Sequence, residues 1–365
     1  MTPPVSFSVD AGPEADLREV APGVTVQAAT DGVAWNAFVA AHPAGTVDHL
    51  WQWRHVIADA LGHESLYLEA RRATTVVGVL PLVLVRSRIF GRSVISLPFL
   101  NYGGILADGN DPDVVQALID AARDAASRFG GSHVELRHTR RQSATLPCRQ
   151  HKLAMLRDLP ASSETLWTAL DRKVRNQVRK AQKAELTVAS GGVELVDEFY
   201  DVFSRNMRDL GTPVYPKALF TLTLQTFARE ARVVVVRHGR QTAAAGISLT
   251  FGRTVLNPWA SSLRELRPLC PNMLLYWTLL EQAVADGAEV FDFGRSSPGA
   301  GTHQFKLQWG AVEHPLCWEY VLLSRPEPPD QGPSNAKFDR AIAIWQRLPL
   351  GIANRLGPIV AKHLP

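Results

Sequence analysis

Cysteine is scarce in this 365-residue chain: Cys148, Cys270 and Cys317 lie far apart, without the spacing of metal ligands. Three thiols so placed are expected to be free, in a reducing compartment, and nothing has the spacing of a zinc site. Long apolar runs are also missing. The longest, residues 76–85, is interrupted by Gly78 and Pro81 and is too short to cross a bilayer. Residues 1–21 hold acids and prolines but no apolar stretch, so no secretory signal is expected there and the cytoplasm is the default location. Several catalytic fingerprints are absent as well. There is no G-x-x-x-x-G-K phosphate loop, no dinucleotide-binding glycine motif, no H-E-x-x-H and no G-x-S-x-G elbow. A transfer reaction that needs neither a metal nor a nucleotide cofactor fits what remains.

What is present reads as a soluble globular protein, 46% hydrophobic and 20% charged, long enough for two domains. The chain repeats one plan. Residues 65–70, 76–86 and 93–98 read as strands, 112–128 as a helix and 133–137 as a returning strand. In the second half 232–237, 242–251 and 254–260 read as strands, 272–285 as a helix and 289–293 as the return. Gly78 and Gly131 are 53 positions apart and Gly246 and Gly287 are 41 apart, the difference falling before the helix. Pro271 and Gly287 stand where helix start and stop signals belong. The expectation is a duplicated α+β unit.

Net charge is only +4, but residues 171–183 hold six of the 39 Lys and Arg residues. In the expected helix 163–184, Arg172, Arg175, Arg179 and Lys183 share one stripe, with Asn176 between them, over about 16 Å. Leu166, Leu170, Val174, Val178 and Ala181 form the neighbouring apolar stripe. Cations stacked in this way suit phosphate, of a tRNA, a nucleotide diphosphate, coenzyme A or an anionic lipid, and a solvated surface helix is the alternative.

The densest polar stretch is Asp292-Phe293-Gly294-Arg295, followed eleven positions later by Lys306, with His303 and Phe305 beside it. It reads as a buried strand, a Ser/Pro/Gly loop, then a Phe-Lys pair leading into another strand. A rigid sheet can hold catalytic groups at such a strand end. Asn257 and Trp259, at another strand end, are candidates to face substrate. Tyr215, in the rigid loop 211–216, is a candidate pocket wall, and Asn272 opens the second helix. Asn101-Tyr102-Gly103-Gly104 reads more readily as a turn than as a ligand loop. Residues 324–334 read as a proline-rich tether. Residues 338–363 read as an amphipathic helical segment broken at Pro349 and Pro358, either lying on an anionic membrane or covering its own core.

The duplicated unit, the basic helix with Lys173-Val174-Arg175-Asn176-Gln177, Pro271-Asn272-Met273-Leu274-Leu275-Tyr276, and the stretch 291–310 together resemble the FemAB-like branch of the GNAT acyltransferase superfamily. The likeness is nearest to the members associated with PEP-CTERM/exosortase and exopolysaccharide systems. It implies two tandem GNAT-like domains of the α+β class, mixed sheets flanked by helices. Their expected bounds are 24–160 and 161–325, after a flexible N-terminus (1–23) and before the tether and tail (326–365). It implies acyl or aminoacyl transfer to an amine or hydroxyl of a cell-envelope precursor, without metal or covalent intermediate. Lys306 matches the lysine of the family's Phe-Lys element, acting with Asp292 and His303 as the catalytic set. Arg295, Phe305, Asn257, Trp259, Tyr215 and Asn272 would contact substrate, and the basic stripe would hold phosphate. The donor stays open between acyl-CoA and aminoacyl-tRNA, since the usual pyrophosphate loop before the Asn272 helix is replaced by residues 264–271. No tightly bound cofactor is expected. The acceptor is a small molecule or a lipid- or nucleotide-linked precursor, and the tail leaves open a peripheral contact with the inner face of the membrane beside packing on its own core. A non-catalytic protein that recognises a polymer precursor is the other reading.

Overall fold

The computed structural model describes residues 18–21, 23–87, 90–329 and 336–364. The first half begins with β1 (Arg18–Ala21), β2 (Val24–Ala28), α1 (Gly32–Ala41) and α2 (Trp53–Leu61). It continues through β3 (Glu64–Arg72), β4 (Thr75–Ser87), β5 (Gly91–Ile95), β6 (Leu106–Ala107), α3 (Pro112–Phe129), β7 (His133–His138), β8 (Cys148–Arg149) and β9 (Leu153–Asp158). The second half comprises α4 (Ser163–Ala169), α5 (Arg172–Lys183), β10 (Leu186–Gly191), α6 (Val196–Leu210), α7 (Lys217–Thr226), β11 (Ala231–His238), β12 (Gln241–Phe251) and β13 (Thr254–Ser262). Then come α8 (Pro271–Ala285), β14 (Val290–Ser296), α9 (Gly301–Gln308), β15 (Val312–Pro315) and β16 (Cys317–Leu322), and finally α10 (Ala336–Gln346) and α11 (Leu350–Ala361).

The strands form two mixed sheets, ordered β1-β2-β3-β4-β5-β7-β16-β8 (with β6 on β4) and β10-β11-β12-β13-β14-β9-β15. The expected duplication is present. In each sheet three antiparallel strands precede a helix, and the next strand returns parallel to the third, as β7 does to β5 and β14 to β13. One feature departs from two separate units. β9 pairs antiparallel with β14 of the second sheet, and β16 pairs antiparallel with β7 of the first. Each returning strand thus takes its outer neighbour from across the chain, and the sheets do not follow a cut at 160/161. One apolar core runs through both halves, with Trp53 of α2 and Phe227 after α7 at 4.9 Å between ring centroids.

Several local expectations are corrected. Cys148 and Cys317 form a disulfide rather than two free thiols; β8 lies against β16, which brings together residues 169 apart in sequence. The expected helix 163–184 is two helices. Leu170 is extended, and Asp171 caps α5 by accepting from the Lys173 N–H at 2.6 Å. Lys306 lies on α9, a helix where a loop and strand were expected. Residues 18–21 of the expected flexible N-terminus form a strand on β2, while 1–17 lie outside the described residues, as do 330–335 of the expected tether.

The tail breaks at Pro349 as expected, but Pro358 sits inside α11. Its inner face, Ala353, Gly357 and Ala361, is buried. A side chain at Gly357 would meet the Val214 backbone at 2.9 Å, so only glycine permits this approach. Lys362 O accepts from the His63 ring at 2.8 Å, and Arg208 reaches Leu348 O at 3.1 Å.

Candidate active site between the halves

β13 and β14 pair only from Thr254–Val290 to Leu256–Asp292 and then part. The carboxyl ends of diverging parallel strands are where α/β sheets accept ligands. Asp292 is the last paired residue. Gly294 follows at φ 72°, and the pairing with β9 slips between Asp292 and Arg295. A Cβ at Gly294 would also lie 3.2 Å from the Asn257 carbonyl. Glycine is therefore needed both for conformation and for space.

The Asp292 carboxyl is 4% exposed. Its Oδ2 accepts from the Tyr102 hydroxyl at 2.6 Å and its Oδ1 from the Gly294 N–H at 2.7 Å. Burial raises its pKa to about 6, against the opposing pull of these donors and of Lys306. Tyr102 comes from the loop after β5, which is held by Asp48: Oδ2 accepts the Asn101 and Tyr102 N–H groups at 3.0 and 2.9 Å. Burial lifts Asp48 to about 7, opposed by those two bonds and assisted by Asp292. A cavity of about 220 Å³ opens onto Asp292 and Tyr102, lined from the first half by His42 and Val47 and from the second by Leu249 and Leu256. Asp48 Oδ1 and Asn101 Nδ2 are buried without a hydrogen-bond partner.

Lys306 faces inward, 7% exposed, and its ammonium donates to the carbonyls of Gly294 at 3.1 Å and Arg295 at 2.9 Å. Burial lowers its pKa to about 8, against the pull of Asp292. The lysine therefore braces the irregular end of β14 and leaves one N–H uncommitted. His303, one turn earlier on α9, is tied elsewhere. The Gly299 N–H donates to its Nδ1 at 3.1 Å, so the ring proton sits on Nε2, 2.7 Å from Glu313. It clamps the 296–300 loop and is not brought to the Asp292 carboxyl.

The remaining candidates divide. Arg295 and Tyr215 reach the space between the halves. The Arg295 guanidinium lies 5.3 Å from the Trp318 ring centroid, and Tyr215, edge-on to Phe99, feels the charges of Arg295 and Arg137. Phe305 instead packs α9 on Tyr276, at 4.9 Å. Trp259 is in the core, edge-on to Phe220 at 5.1 Å, because its position on β13 points to the helix-covered face. Asn257 is buried and donates to Ile247 O at 2.7 Å, holding the irregular β12–β13 pairing, while its Oδ1 has no partner. Asn272 lies half-buried in the first turn of α8. Arg172, Arg179 and Lys183 are exposed along α5 and Arg175 is half-buried, while Val174, Val178 and Ala181 dock the helix; α5 carries no acid. Asp48, Arg137, Lys152 and Trp318 were not legible as site residues. The one available signal was Glu135-Leu136-Arg137, at the place in the first repeat that Asp292 and Arg295 hold in the second.

Residues 169–307, which include α5, Asp292 and Lys306, match the family model for an acetyltransferase (GNAT) domain. The second half is thus an acyltransferase domain, and the first repeats its strand plan. Acyltransferases of this class take acyl-CoA as a substrate and not as a resident cofactor. No curated protein sequence matches the chain. Among solved structures it is similar to FemX, at 15% identity and a TM-score of 0.63, over 82% of this chain and 97% of that one. It is also similar to the C-terminal domain of a putative lysylphosphatidylglycerol synthetase from Agrobacterium fabrum, at 14% identity and a TM-score of 0.54, covering 86% and 94%. L-PGS from Bacillus licheniformis is another such neighbour, at 12% identity and a TM-score of 0.53, covering 87% and 98%. At these identities the likeness shows the fold: α+β, two GNAT-like units in tandem. Among the described residues no cluster of His, Cys, Asp or Glu could hold a metal, and no helix is long and apolar enough to cross a membrane.

Proposed function

We propose that this chain transfers an acyl or aminoacyl group to an amine or hydroxyl of a cell-envelope or exopolysaccharide precursor, with Asp292 as the proton acceptor. The observation that carries this reading is Asp292, a buried carboxyl ionising near 6 on a cavity that both halves line. A general base works best with a pKa close to the working pH. The acceptor nitrogen or oxygen attacks the donor's carbonyl carbon and its proton passes to Asp292. Collapse of the tetrahedral intermediate then expels the thiolate of coenzyme A, or the ribose oxygen of tRNA, which takes up the proton held by Asp292. The acceptor is itself the nucleophile, so the enzyme forms no covalent intermediate. The uncommitted N–H of Lys306 is the donor for the developing oxyanion. Arg172, Arg175, Arg179 and Lys183 hold phosphate on the donor or on a lipid- or nucleotide-linked acceptor. A neighbour whose name has it making lysylphosphatidylglycerol supports an aminoacyl donor and a lipid-linked acceptor.

A membrane-proximal acceptor also agrees with the tail. Ile344, Ile352, Leu356 and Ile359 are exposed there, beside Arg347 and Arg355. Apolar and basic side chains on one face favour an anionic bilayer.

The full-length protein incubated with acyl-CoA or aminoacyl-tRNA and precursor extracts, followed by mass spectrometry, tests the reading. Transfer should rise with pH through about 6, as Asp292 ionises, and decline above about 8, as Lys306 loses its proton. No product from either donor class, with a precursor retained on the purified protein, would make it a binding protein instead.

A further inference from the structure

We propose that Arg137 and Arg295, which flank the Trp318 indole between the two halves, form with Lys152 a binding site for an oxyanion, either a carboxylate or a phosphate. The three come from separate places: the end of β7, the end of β14, and the turn before β9. The Arg137 and Arg295 guanidinium carbons lie 4.3 and 5.3 Å from the Trp318 ring centroid. The Lys152 ammonium donates to Ser297 Oγ at 2.8 Å, beside Arg295 in sequence.

Carboxylates do not balance this cluster. Glu135 is committed to Arg137 at 2.8 Å and to the Tyr320 hydroxyl. Each oxygen of Asp292 accepts one hydrogen bond, from Tyr102 and from the Gly294 N–H, and neither is paired with this cluster. Glu319 holds the His138 ring and the N–H groups of Gln142 and Ser143. Glu135 and Asp48 lie near enough to favour the charged Arg295, but among the described residues no carboxylate forms an ion pair with Arg295 or Lys152. Burial and then Arg137 pull Arg295 down to about 10, and burial followed by Arg295 and Arg137 lowers Lys152. Donors are also left over: Arg295 Nη1 and Trp318 Nε1 are buried without a hydrogen-bond partner. Like charges held together beside unused donors are costly unless an anion joins them. A guanidinium fork and an ammonium suit the oxygens of a carboxylate or phosphate. This inference rests on the transfer reading only in taking the anion to be part of a substrate.

The test is isothermal titration of the full-length protein with inorganic pyrophosphate and, separately, with succinate. At least one should bind. Arg295→Gln should weaken that binding about tenfold or more, and Lys152→Gln by a smaller factor. The α5 double variant Arg175→Ala/Arg179→Ala removes phosphate binding on the basic stripe and should leave the Arg295-dependent binding unchanged. Preference for pyrophosphate marks a nucleotide- or lipid-linked substrate, and preference for succinate marks a carboxylate-bearing one. Should Arg295→Gln not fold, Lys152→Gln carries the test, since Lys152 is only half-buried. No binding by either anion, equal affinity in wild type and variants, or loss confined to the α5 variant overturns the site. The two readings fail separately. Transfer whose KM values are untouched by Arg295→Gln removes this site alone. Arg295-dependent binding without consumption of any donor removes the transfer reading alone.

Discussion

At the end of β7, Glu135 and Arg137 close on each other in a buried ion pair of 2.8 Å; at the equivalent end of β14, Asp292 and Arg295 turn to different partners. The acid there is satisfied by a tyrosine from the other half and by its own strand's Gly294 N–H, and the arginine reaches across to Trp318. Gly294 is the difference. It adds one residue between acid and arginine, in a conformation that L side chains rarely adopt, and sends the two groups apart. A closed ion pair in one repeat is, in the other, a carboxyl on a cavity and a separate cation.

The largest expected effects come from neutralising the two acids in turn. Asp292→Asn should lower transfer by about 10²–10⁴-fold. In the folded chain Asp292 ionises at about 6, above its ordinary 3.8, so it weakens the fold as pH rises between those values. Asn removes that loss, and the variant should melt no lower than wild type at pH 8. Glu135→Gln should do the reverse, leaving Arg137 buried without its counter-charge at a cost of about 3 kcal/mol or more. If both variants behave alike in melting and turnover, the two strand ends are not functionally distinct.

Lys306→Met ranks next. It strips the donor from two carbonyls at the end of β14, each costing about 1–3 kcal/mol when buried and unmet. Transfer should drop about 10²-fold, with a melting temperature several degrees lower. A lower melting temperature with an unchanged rate would make the lysine a brace and nothing more. Gly294→Ala should have the smallest effect, about 1–2 kcal/mol of stability for the left-handed backbone, with a rate loss as the Asp292 carboxyl shifts. Full activity and unchanged melting would show that the inserted glycine is not what opens the pair.

Local pattern made much of this legible. The glycine spacings and β-branched runs revealed the duplicated unit, because alternation and helical periodicity are properties of neighbouring residues. The basic stripe of α5 followed from the same periodicity, and the cluster from Asp292 to Lys306 from its density of polar residues in one short stretch. His303 and Trp259 show the limit. Both lie near the right elements, but which way a side chain points depends on what covers the element, and both were turned to structural use.

The sequence by itself determined two α+β units, the helix that carries the cations, and an acid placed at the end of a buried strand. Those follow from interactions between residues a few positions apart. Only the tertiary structure decided the exchange of β9 and β16 between the sheets, the joining of Cys148 to Cys317, and the delivery of Tyr102 and Asp48 to Asp292. Each of these brings together groups from far-separated parts of the chain. Their encounter is set by how two apolar faces share one core, a condition that no local pattern records.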